Sequence, residues 1–161
     1  MKKILFALPA LVVLYFGVRT ARYALASDET RILWLLEQME EAYNEGQAGR
    51  AVAPLDKDWR HQDLAYDKED LRIGVFNIGR EERDSDGERT SRVTLDDDGL
   101  TIAVTGDGAT VAAPVAFARR EDGQWSDEWK AVVHADLARQ DGGWRIVSSR
   151  HDDVEGTYLS R

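Results

Sequence analysis

The sequence predicts an α+β fold in which a curved antiparallel sheet wraps around one long helix. Apolar residues between 32 and 43 recur at three- and four-residue steps, as on an amphipathic helix. Between residues 100 and 151, β-rich runs alternate with turn pairs at Asp107-Gly108, Asp122-Gly123 and Asp141-Gly142, which is typical of successive antiparallel hairpins. A helix and a sheet that each have one apolar face pack together, and we expect a pocket between them.

The first 26 residues predict a signal peptide or a membrane anchor. Two lysines precede fifteen uncharged residues, Ile4–Val18, which is the length of a signal-peptide apolar region. The longer stretch Ile4–Ala26 reaches a membrane span if its two arginines snorkel to the headgroups. We expect an uncleaved anchor with the domain on the periplasmic side of the membrane, or a secreted domain if cleavage follows Ala26.

Residues 27–161 predict one domain with an acidic surface. They hold 17 basic and 30 acidic residues, a net charge of −13, which repels phosphate backbones and argues against a nucleic-acid partner. The chain has no cysteine, so disulfides, thiolate nucleophiles and cysteine-ligated metals are excluded. Phosphate-loop and serine-nucleophile motifs are also missing from the sequence, and we expect no cofactor.

Two helices are predicted before the hairpins. The first begins at Ser27 or Asp28, whose side chains cap free backbone amides, and runs to about Asn44, with Gly46 as a left-handed stop. Its apolar stripe is Ile32, Leu35, Leu36, Met39 and Tyr43. A second helix is capped by Asp67 and reaches Gly79. Between them we expect a short helical turn at residues 50–55 and an extended piece at 59–64, and after them a mobile solvated loop at 80–89.

Five strands are predicted, at residues 90–95, 100–105, 110–120, 128–139 and 144–151. Pro114 removes a ladder donor, so its strand lies at an edge or carries a bulge there. Alternation places Val133 and Leu137 on one face of the fourth strand and His134 and Asp136 on the other. In the fifth strand it separates Trp144, Ile146, Ser148 and Arg150 from Arg145, Val147, Ser149 and His151.

This order of elements resembles the nuclear transport factor 2-like superfamily, in its SnoaL-like branch, over about Glu29–Asp152. The resemblance rests on that order and on two turn motifs, Gly106–Val111 and Asp141–Val147. It implies a cone-shaped fold with an open-ended cavity, often with a homodimer formed through the sheet. It implies no single function, because the members include isomerases, dehydratases and pure binding modules. Many members have a histidine shortly after the Gly-Trp pair, where this chain has Ser148, Ser149 and Arg150.

Each of the three histidines has an acidic neighbour: His61 with Asp63, His134 with Asp136, and His151 with Asp152. Residues two apart on a strand project to the same side, so His134 and Asp136 are candidates for an oriented base or for two metal ligands. A chain with 30 acidic residues produces such pairs by chance, and we assign no metal site.

Aromatic residues complete the candidate site. Tyr43 lies on the apolar stripe, from which its hydroxyl either donates to a ligand carbonyl or sits at the rim of the core. Trp59, Trp125 and Trp129 flank loops where an aromatic wall would lie. The residues expected to bind a ligand are therefore Tyr43, Trp59, His61, Trp129 and His134.

The expected function is the binding of a small apolar molecule in the cavity or of a protein partner on the sheet. The alternative is a cofactor-free isomerase or dehydratase that uses Tyr43 or His134 with a carboxylate, for which Asp63 and Asp136 are equally arguable. The enzyme hypothesis gains support if one of these groups meets a carboxylate inside an apolar cavity, and it loses support if the groups face solvent.

Overall fold

The sheet has six strands and is mixed. A computed structural model describes residues 25–156, with elements α1 (Asp28–Asn44), α2 (Ala48–Ala51), β1 (Leu55–His61), α3 (Lys68–Glu81), β2 (Ser91–Leu95), β3 (Thr101–Thr105), β4 (Gly108–Glu121), β5 (Gln124–Gln140) and β6 (Gly143–Glu155). The strand order is β1-β6-β5-β4-β2, and β3 also pairs with β4. β1 runs parallel to β6, so the expected antiparallel sheet is wrong for this strand. No hairpin turn fixes the direction of β1, because its partner β6 is the last strand within residues 25–156.

Both long helices begin at the predicted caps. The Ser27 hydroxyl accepts a hydrogen bond from the backbone N–H of Thr30 at 3.3 Å, and α1 ends at Asn44 as expected. Asp67 and Asp70 form a reciprocal capping box at the start of α3. α3 continues to Glu81, two residues beyond the predicted end.

The inner face of the sheet is the face that packs against α1. Its core contains Ile32 of α1, which is 0% exposed, and buried residues from β1, β4, β5 and β6. They are Leu55, Trp59, Ala109, Val111, Ala113, Ala135, Leu137, Trp144 and Ile146. A second cluster joins the end of α1 to α2 and α3 and consists of Ala42, Ala48, Ala51 and Val75, with Tyr43 packed against it.

Pro114 lies on the interior strand β4 and in regular register with Val132 of β5, so the expectation that its strand is an edge or carries a bulge there is wrong. β2 and β3 follow one another along the same side of β4, where Leu95 pairs with Val115 and Thr101 pairs with Ala112. Pro114 falls in the gap between them, and its carbonyl accepts from the backbone N–H of Asp96 at 2.9 Å. The N–H and C=O of one strand residue point to the same side. The N–H that Pro114 lacks would therefore face the gap between β2 and β3, and its absence removes no hydrogen bond to β5.

The segment after α3 is fastened to the sheet, which corrects the expectation of a mobile loop. Arg120 of β4 forms ion pairs with Asp84 at 2.6 Å and with Glu88 at 3.0 Å. Arg83 and Arg89 also form an isolated antiparallel bridge. The sequence shows only the density of charge in this segment, because the partner arginine lies more than thirty residues further along the chain.

A bulge at Val147 reverses the predicted faces in the second half of β6. Leu137 pairs with Ile146 and Asp136 pairs with Ser148, so Val147 is the extra residue on β6. The inner face therefore carries Ile146 and then Ser149, both of which are buried. Strict alternation placed Ser148 and Arg150 beside Ile146, and that assignment is wrong beyond the bulge.

No helix within residues 25–156 is long and apolar enough to cross a membrane. The anchor or signal peptide predicted for residues 1–26 lies almost wholly outside the described residues.

Candidate functional site

The inner face of β5 and β6 changes from apolar to polar along its length. Near the β5–β6 turn, Leu137 faces Ile146, and both are buried. Further along, Val133 pairs with His151 and Ala131 pairs with Asp153. The exposed fraction of the side chain rises from 17% at His151 to 42% at Asp153. The polar end of this face is therefore accessible to a ligand, whereas the other end is closed by the core.

β1 places a second histidine beside His151. His61 pairs with Ser149 in the parallel ladder, so its side chain also lies on the inner face. The Nε2 atom of His61 is 3.1 Å from the Nδ1 atom of His151, and the ring centroids are 5.1 Å apart. This contact exists only because the bulge at Val147 turns His151 inward.

The hydrogen bonds around the two rings define their tautomers. The backbone N–H groups of Asp63 and Leu64 donate to Nδ1 of His61 at 3.3 and 3.2 Å, so this nitrogen carries a lone pair. Neutral His61 then holds its proton on Nε2 and donates it to Nδ1 of His151. His151 in turn carries its own proton on Nε2, which lies 3.5 Å from the carboxylate of Asp153.

Burial keeps His61 neutral. Loss of solvent around the ring lowers the pKa of His61 below its ordinary value, and the neighbouring His151 lowers that pKa further, while Asp63 partly opposes both. The hydrogen bonds act in the same direction, because an imidazolium would present an Nδ1–H to two backbone donors.

Two carboxylates and two tryptophans border the histidine pair. Asp153 accepts a hydrogen bond from the indole N–H of Trp129 at 2.6 Å, and Asp63 accepts one from the backbone N–H of His151 at 3.4 Å. Trp129 meets the ring of His151 edge-on at 5.6 Å. Trp59 meets the ring of His61 in the same manner at 6.4 Å. We call these six residues the inner-face site: Trp59, His61, Asp63, Trp129, His151 and Asp153.

The inner-face site contains the ligand types of a transition-metal site, but its hydrogen bonds do not suit a metal. One side-chain atom each from His61, Asp63 and His151 lie within 4.8 Å of one another. A histidine that binds a metal through Nε2 must carry its proton on Nδ1. In His61 that nitrogen already accepts from two backbone N–H groups, so Nε2 is a donor and has no lone pair for a metal.

His134 and Asp136 lie on the outer face, away from α1. His134 forms a hydrogen bond of 2.9 Å with Asp152, and its side chain is 31% exposed. Asp136 is exposed and accepts instead from the hydroxyl of Ser148 at 2.7 Å. The catalytic pair suggested by their spacing therefore shares a face of β5 without forming a contact, and it lies on the opposite face from His61.

Tyr43 packs in the second cluster, beside α2 and α3. The guanidinium of Arg89 lies over its ring, 5.4 Å from the centroid. Of the five residues expected to bind a ligand, the structure brings Trp59, His61 and Trp129 together. It places Tyr43 in this helical cluster and His134 on the outer face.

Sequence reasoning missed His151 and Asp153 as members of the site. The pairing of His151 with Asp152 by proximity in sequence was misleading, because adjacent strand residues project to opposite faces. Asp152 instead binds His134 and Arg150 on the outer face. The available signal was the spacing of two between His151 and Asp153, but it points to the inner face only if the bulge at Val147 is known.

Comparison with solved structures identifies the fold. An NTF2-like protein with a cystatin-like fold from Novosphingobium aromaticivorans superposes with a TM-score of 0.68 at 19% identity, covering 88% of this chain and 92% of that one. A putative scytalone dehydratase from the same organism gives 0.66 at 13% identity, over 83% and 89% of the two chains. A protein of unknown function from Nostoc punctiforme gives 0.63 at 18% identity, over 82% and 95%. The resemblance to nuclear transport factor 2-like proteins is thus confirmed at the level of the fold.

No protein-family model and no curated protein matches the sequence. Function must therefore be argued from the site, because identities this low carry the fold alone.

Proposed function

We propose that this protein, with its NTF2-like fold, is a binding module whose inner-face site holds a small, neutral, largely apolar molecule. The observation that carries the proposal is that all four ring nitrogens of His61 and His151 are directed at partners within the protein. A general base needs a lone pair that is free to take a proton from a substrate. Neither His61 nor His151 has a free lone pair. The two rings are therefore better suited to line a binding site than to act as a general base.

The surroundings of the pair favour a neutral ligand over an anion. Asp63 and Asp153 both border the rings, and residues 27–161 carry a net charge of −13. Trp129 supplies an aromatic surface beside His151. An uncharged molecule with an aromatic or aliphatic body gains this contact without meeting like charge.

Two related dyes test the proposal. N-phenylnaphthylamine is neutral, and anilinonaphthalene sulfonate has the same ring skeleton with an added negative charge. We expect saturable one-to-one binding of the neutral dye, followed by its fluorescence, and much weaker binding of the sulfonate. Absence of saturable binding of the neutral dye, or tighter binding of the sulfonate, would contradict the proposal.

A tryptophan variant locates the binding. Trp129→Ala removes the aromatic surface of the site. We expect it to raise the dissociation constant of the neutral dye about tenfold, which is a loss of about 1.4 kcal/mol in binding free energy. Trp125→Ala is the matched control, because Trp125 is 37% exposed and contacts Arg92 and Arg120 near the β4–β5 turn. An equal loss in both variants would show that the dye binds elsewhere.

A second candidate function is a cofactor-free dehydratase or isomerase. One observation favours it: Nε2 of His151 lies 3.5 Å from Asp153, so a carboxylate orients the ring as it does in histidine-dependent acid–base catalysis. The similar fold of a putative scytalone dehydratase adds a compound to test, scytalone. Turnover of scytalone that is lost in His151→Gln and retained in His134→Gln would replace the binding proposal with this one.

We also propose that residues 1–26 tether the domain to a membrane, with the domain outside the cytoplasm. The support is the uncharged run Ile4–Val18 behind two lysines. Fractionation of cells that express the full chain tests this, with the intact mass of the recovered protein as the readout. Full-length protein in the membrane fraction fits an anchor, and a membrane-free protein that starts at Ser27 fits a cleaved signal peptide. Full-length protein in the soluble cytoplasmic fraction would contradict both.

A further inference from the structure

The indole N–H of Trp59 is a buried donor that finds no acceptor within residues 25–156. Trp59 is only 2% exposed, and its ring nitrogen is closed to solvent as well. A buried N–H without an acceptor destabilises a folded protein, because it has given up its hydrogen bonds to water and gained none in return. Such groups are rare in folded proteins, and one beside a candidate binding site calls for a physical explanation.

Two other tryptophans of the sheet show how the chain satisfies the same group. The indole N–H of Trp129 donates to the carboxylate of Asp153 at 2.6 Å. The indole N–H of Trp144 donates to the carboxylate of Asp28 at 3.3 Å. Both acceptors are supplied by side chains of the protein, and Trp59 has no equivalent.

The nearest polar ring gives Trp59 no acceptor. His61 meets the ring of Trp59 edge-on, with the centroids 6.4 Å apart. Nδ1 of His61 already accepts from two backbone N–H groups, and its Nε2 lies 3.1 Å from Nδ1 of His151. Both nitrogens of the imidazole are therefore engaged, and neither has a lone pair left for the indole.

Trp59 stands at the buried end of a row of four rings. Its ring contacts His61, His61 contacts His151 at 5.1 Å, and His151 contacts Trp129 at 5.6 Å between centroids. Trp129, at the other end of the row, is only half-buried. A molecule bound along these rings has one end at the open side of the inner-face site and the other end beside Trp59.

The group that an indole N–H recognises is an acceptor, because this N–H can only donate. An anionic acceptor does not fit, since Asp63 and Asp153 border the same rings and would repel it. A carbonyl oxygen is an acceptor without a charge, and the aromatic rings suit the apolar body that carries it. Side chains around Trp59 must move to admit the oxygen, which is then shielded from competing water, and this strengthens the hydrogen bond.

We propose that the inner-face site binds a neutral carbonyl compound, whose oxygen accepts from the indole N–H of Trp59 and whose apolar body lies toward Trp129. The inference rests on the proposed function, because it names the chemical class of the ligand at that site. The bound oxygen supplies the acceptor that the chain lacks at this position. A carbonyl compound therefore gains a hydrogen bond that a purely apolar molecule of the same shape does not.

Two naphthalenes of nearly equal shape test the proposal. Methyl naphthyl ketone carries the carbonyl, and isopropenylnaphthalene replaces the oxygen with a methylene group. Isothermal titration calorimetry gives their dissociation constants for the full-length wild type and for Trp59→Phe, which retains an aromatic ring and lacks the N–H. We expect the variant to raise the dissociation constant of the ketone about tenfold and to leave that of the alkene within about twofold.

Trp125→Phe is the matched control, because it makes the same replacement at an exposed ring near the β4–β5 turn. It should change neither dissociation constant. Equal weakening of the ketone and the alkene in Trp59→Phe would show that the shape of the ring matters and its N–H does not. That result would overturn the inference, as would ketone binding that Trp59→Phe leaves unchanged.

Nuclear magnetic resonance of the nitrogen-labelled wild type gives a readout that does not depend on the variant. The indole N–H signal of Trp59 is assigned by its through-space contacts to the ring of His61. We expect the ketone to move this proton resonance to higher frequency, as a new hydrogen bond does, and the alkene to move it much less. An equal response to both compounds, or no response while the ketone saturates the site, would overturn the inference.

The same measurements separate this inference from the proposed function. If both compounds bind one-to-one and Trp59→Phe affects neither, the apolar site stands and the carbonyl contact fails. If neither compound binds, the inference fails in every case. The proposed function then fails with it only if the neutral dye is not bound either.

Discussion

At the residue scale, Asp28 is the side chain that fixes the start of α1 to the sheet. Its carboxylate accepts hydrogen bonds from Arg139 of β5 and from the indole N–H of Trp144 in β6, and it forms an ion pair with Arg31. The hydrogen bond from Arg139 is the largest cause that holds the pKa of Asp28 below its ordinary value. A single residue thus acts both in the first turn of a helix and as an anchor for the last hairpin.

This arrangement predicts a pH-dependent loss of stability in Asp28→Asn. A carboxyl group whose pKa is lowered on folding stabilises the folded state above its unfolded pKa of about 3.9, and this contribution is lost as the pH falls further. The variant should therefore unfold at lower denaturant concentration than the wild type at pH 7, and the difference should shrink as the pH approaches 3. Chemical denaturation at the two pH values measures it.

Glu29→Gln is the control for the loss of Asp28, because it removes the same charge from the same turn at an exposed position. It should leave the midpoint of unfolding at pH 7 nearly unchanged. If both variants lose stability equally, the helix dipole accounts for the effect and the contacts to Arg139 and Trp144 do not.

The residue scale also shows where sequence reasoning works and where it does not. Ser27 and Asp67 could be identified as helix caps because their hydrogen bonds lie within three residues along the chain. Trp59, His61 and Trp129 could be nominated for the site from residue type and position. His151 could not, because its neighbours depend on a bulge and on a parallel strand that begins about ninety residues earlier.

At the element scale, the ends of α1 and α3 meet around the guanidinium of Arg89. A Cβ atom on Gly46 would lie 2.8 Å from Nη1 of Arg89, and one on Gly79 would lie 3.0 Å from it. Carbonyl groups at helix C-termini carry partial negative charge, which stabilises a cation at this position. The two glycines therefore allow a close approach that the two helices need in order to pack.

Alanine substitutions in α3 test this close approach. Gly79→Ala places a methyl group against Arg89, which is confined by Gly46 on its other side, and should destabilise the protein by about 1–3 kcal/mol. Gly74→Ala lies on the same helix with nothing within 4 Å of its Cβ position, and should stabilise by about 0.5–1 kcal/mol. Thermal or denaturant unfolding measures both. A gain in stability in both variants would show that the guanidinium of Arg89 can move away from residue 79 without destabilising the protein.

Asn44 at the end of α1 closes the free edge of β2. Its amide nitrogen donates to the carbonyl of Val93 and its amide oxygen accepts from the N–H of Val93, both at 2.8 Å. The side chain thus replaces a neighbouring strand and blocks edge pairing with another molecule. The sequence identifies Asn44 only as the last residue of a helix, because its partner is 49 residues away.

Loss of this contact predicts both destabilisation and association. Asn44→Ala leaves two partly buried backbone groups of Val93 without partners, which costs about 1–3 kcal/mol. We also expect the apparent mass in light scattering to rise with protein concentration, as the freed edge pairs with a second copy. Asn77→Ala, on α3, is the matched control and should change neither the stability nor the apparent mass. A variant that is destabilised but shows no association would limit the role of Asn44 to stability.

Strand pairing, like the contacts above, can be predicted from the sequence only where the partners lie close together along the chain. β4, β5 and β6 are joined by tight turns at Asp122-Gly123 and Asp141-Gly142, and both aspartates adopt positive φ, so local residues specify the pairing. The parallel pairing of β1 has no such local signal. Bulges are equally hidden, because an extra residue changes no composition while it reverses every side chain that follows.

At the scale of the whole molecule, the polar residues of the inner-face site and the apolar core lie toward different ends of one sheet. The core lies toward the β5–β6 turn, where α1 is fastened through Asp28, and the inner-face site lies toward the opposite end of β5 and β6. Substitutions of site residues outside the core, such as Trp129 and Asp153, should therefore change binding with little effect on folding, whereas Trp59 belongs to both the site and the core. Substitutions in the core should do the reverse.

Ile32 provides the test of a single cooperative core. It is 0% exposed on α1 and belongs to the cluster that spans β1, β4, β5 and β6, so Ile32→Ala should destabilise the protein by about 2–5 kcal/mol. Ile73→Ala deletes the same atoms from a side chain of α3 that is 46% exposed, and should change stability by less than about 0.5 kcal/mol. Far-ultraviolet circular dichroism, which follows the backbone, and tryptophan fluorescence should give the same midpoint in each variant, because one core joins the helix to the sheet. Separate midpoints for the two signals in Ile32→Ala would show that α1 and the sheet unfold as independent units, and the inner-face site would then keep its geometry without the helix.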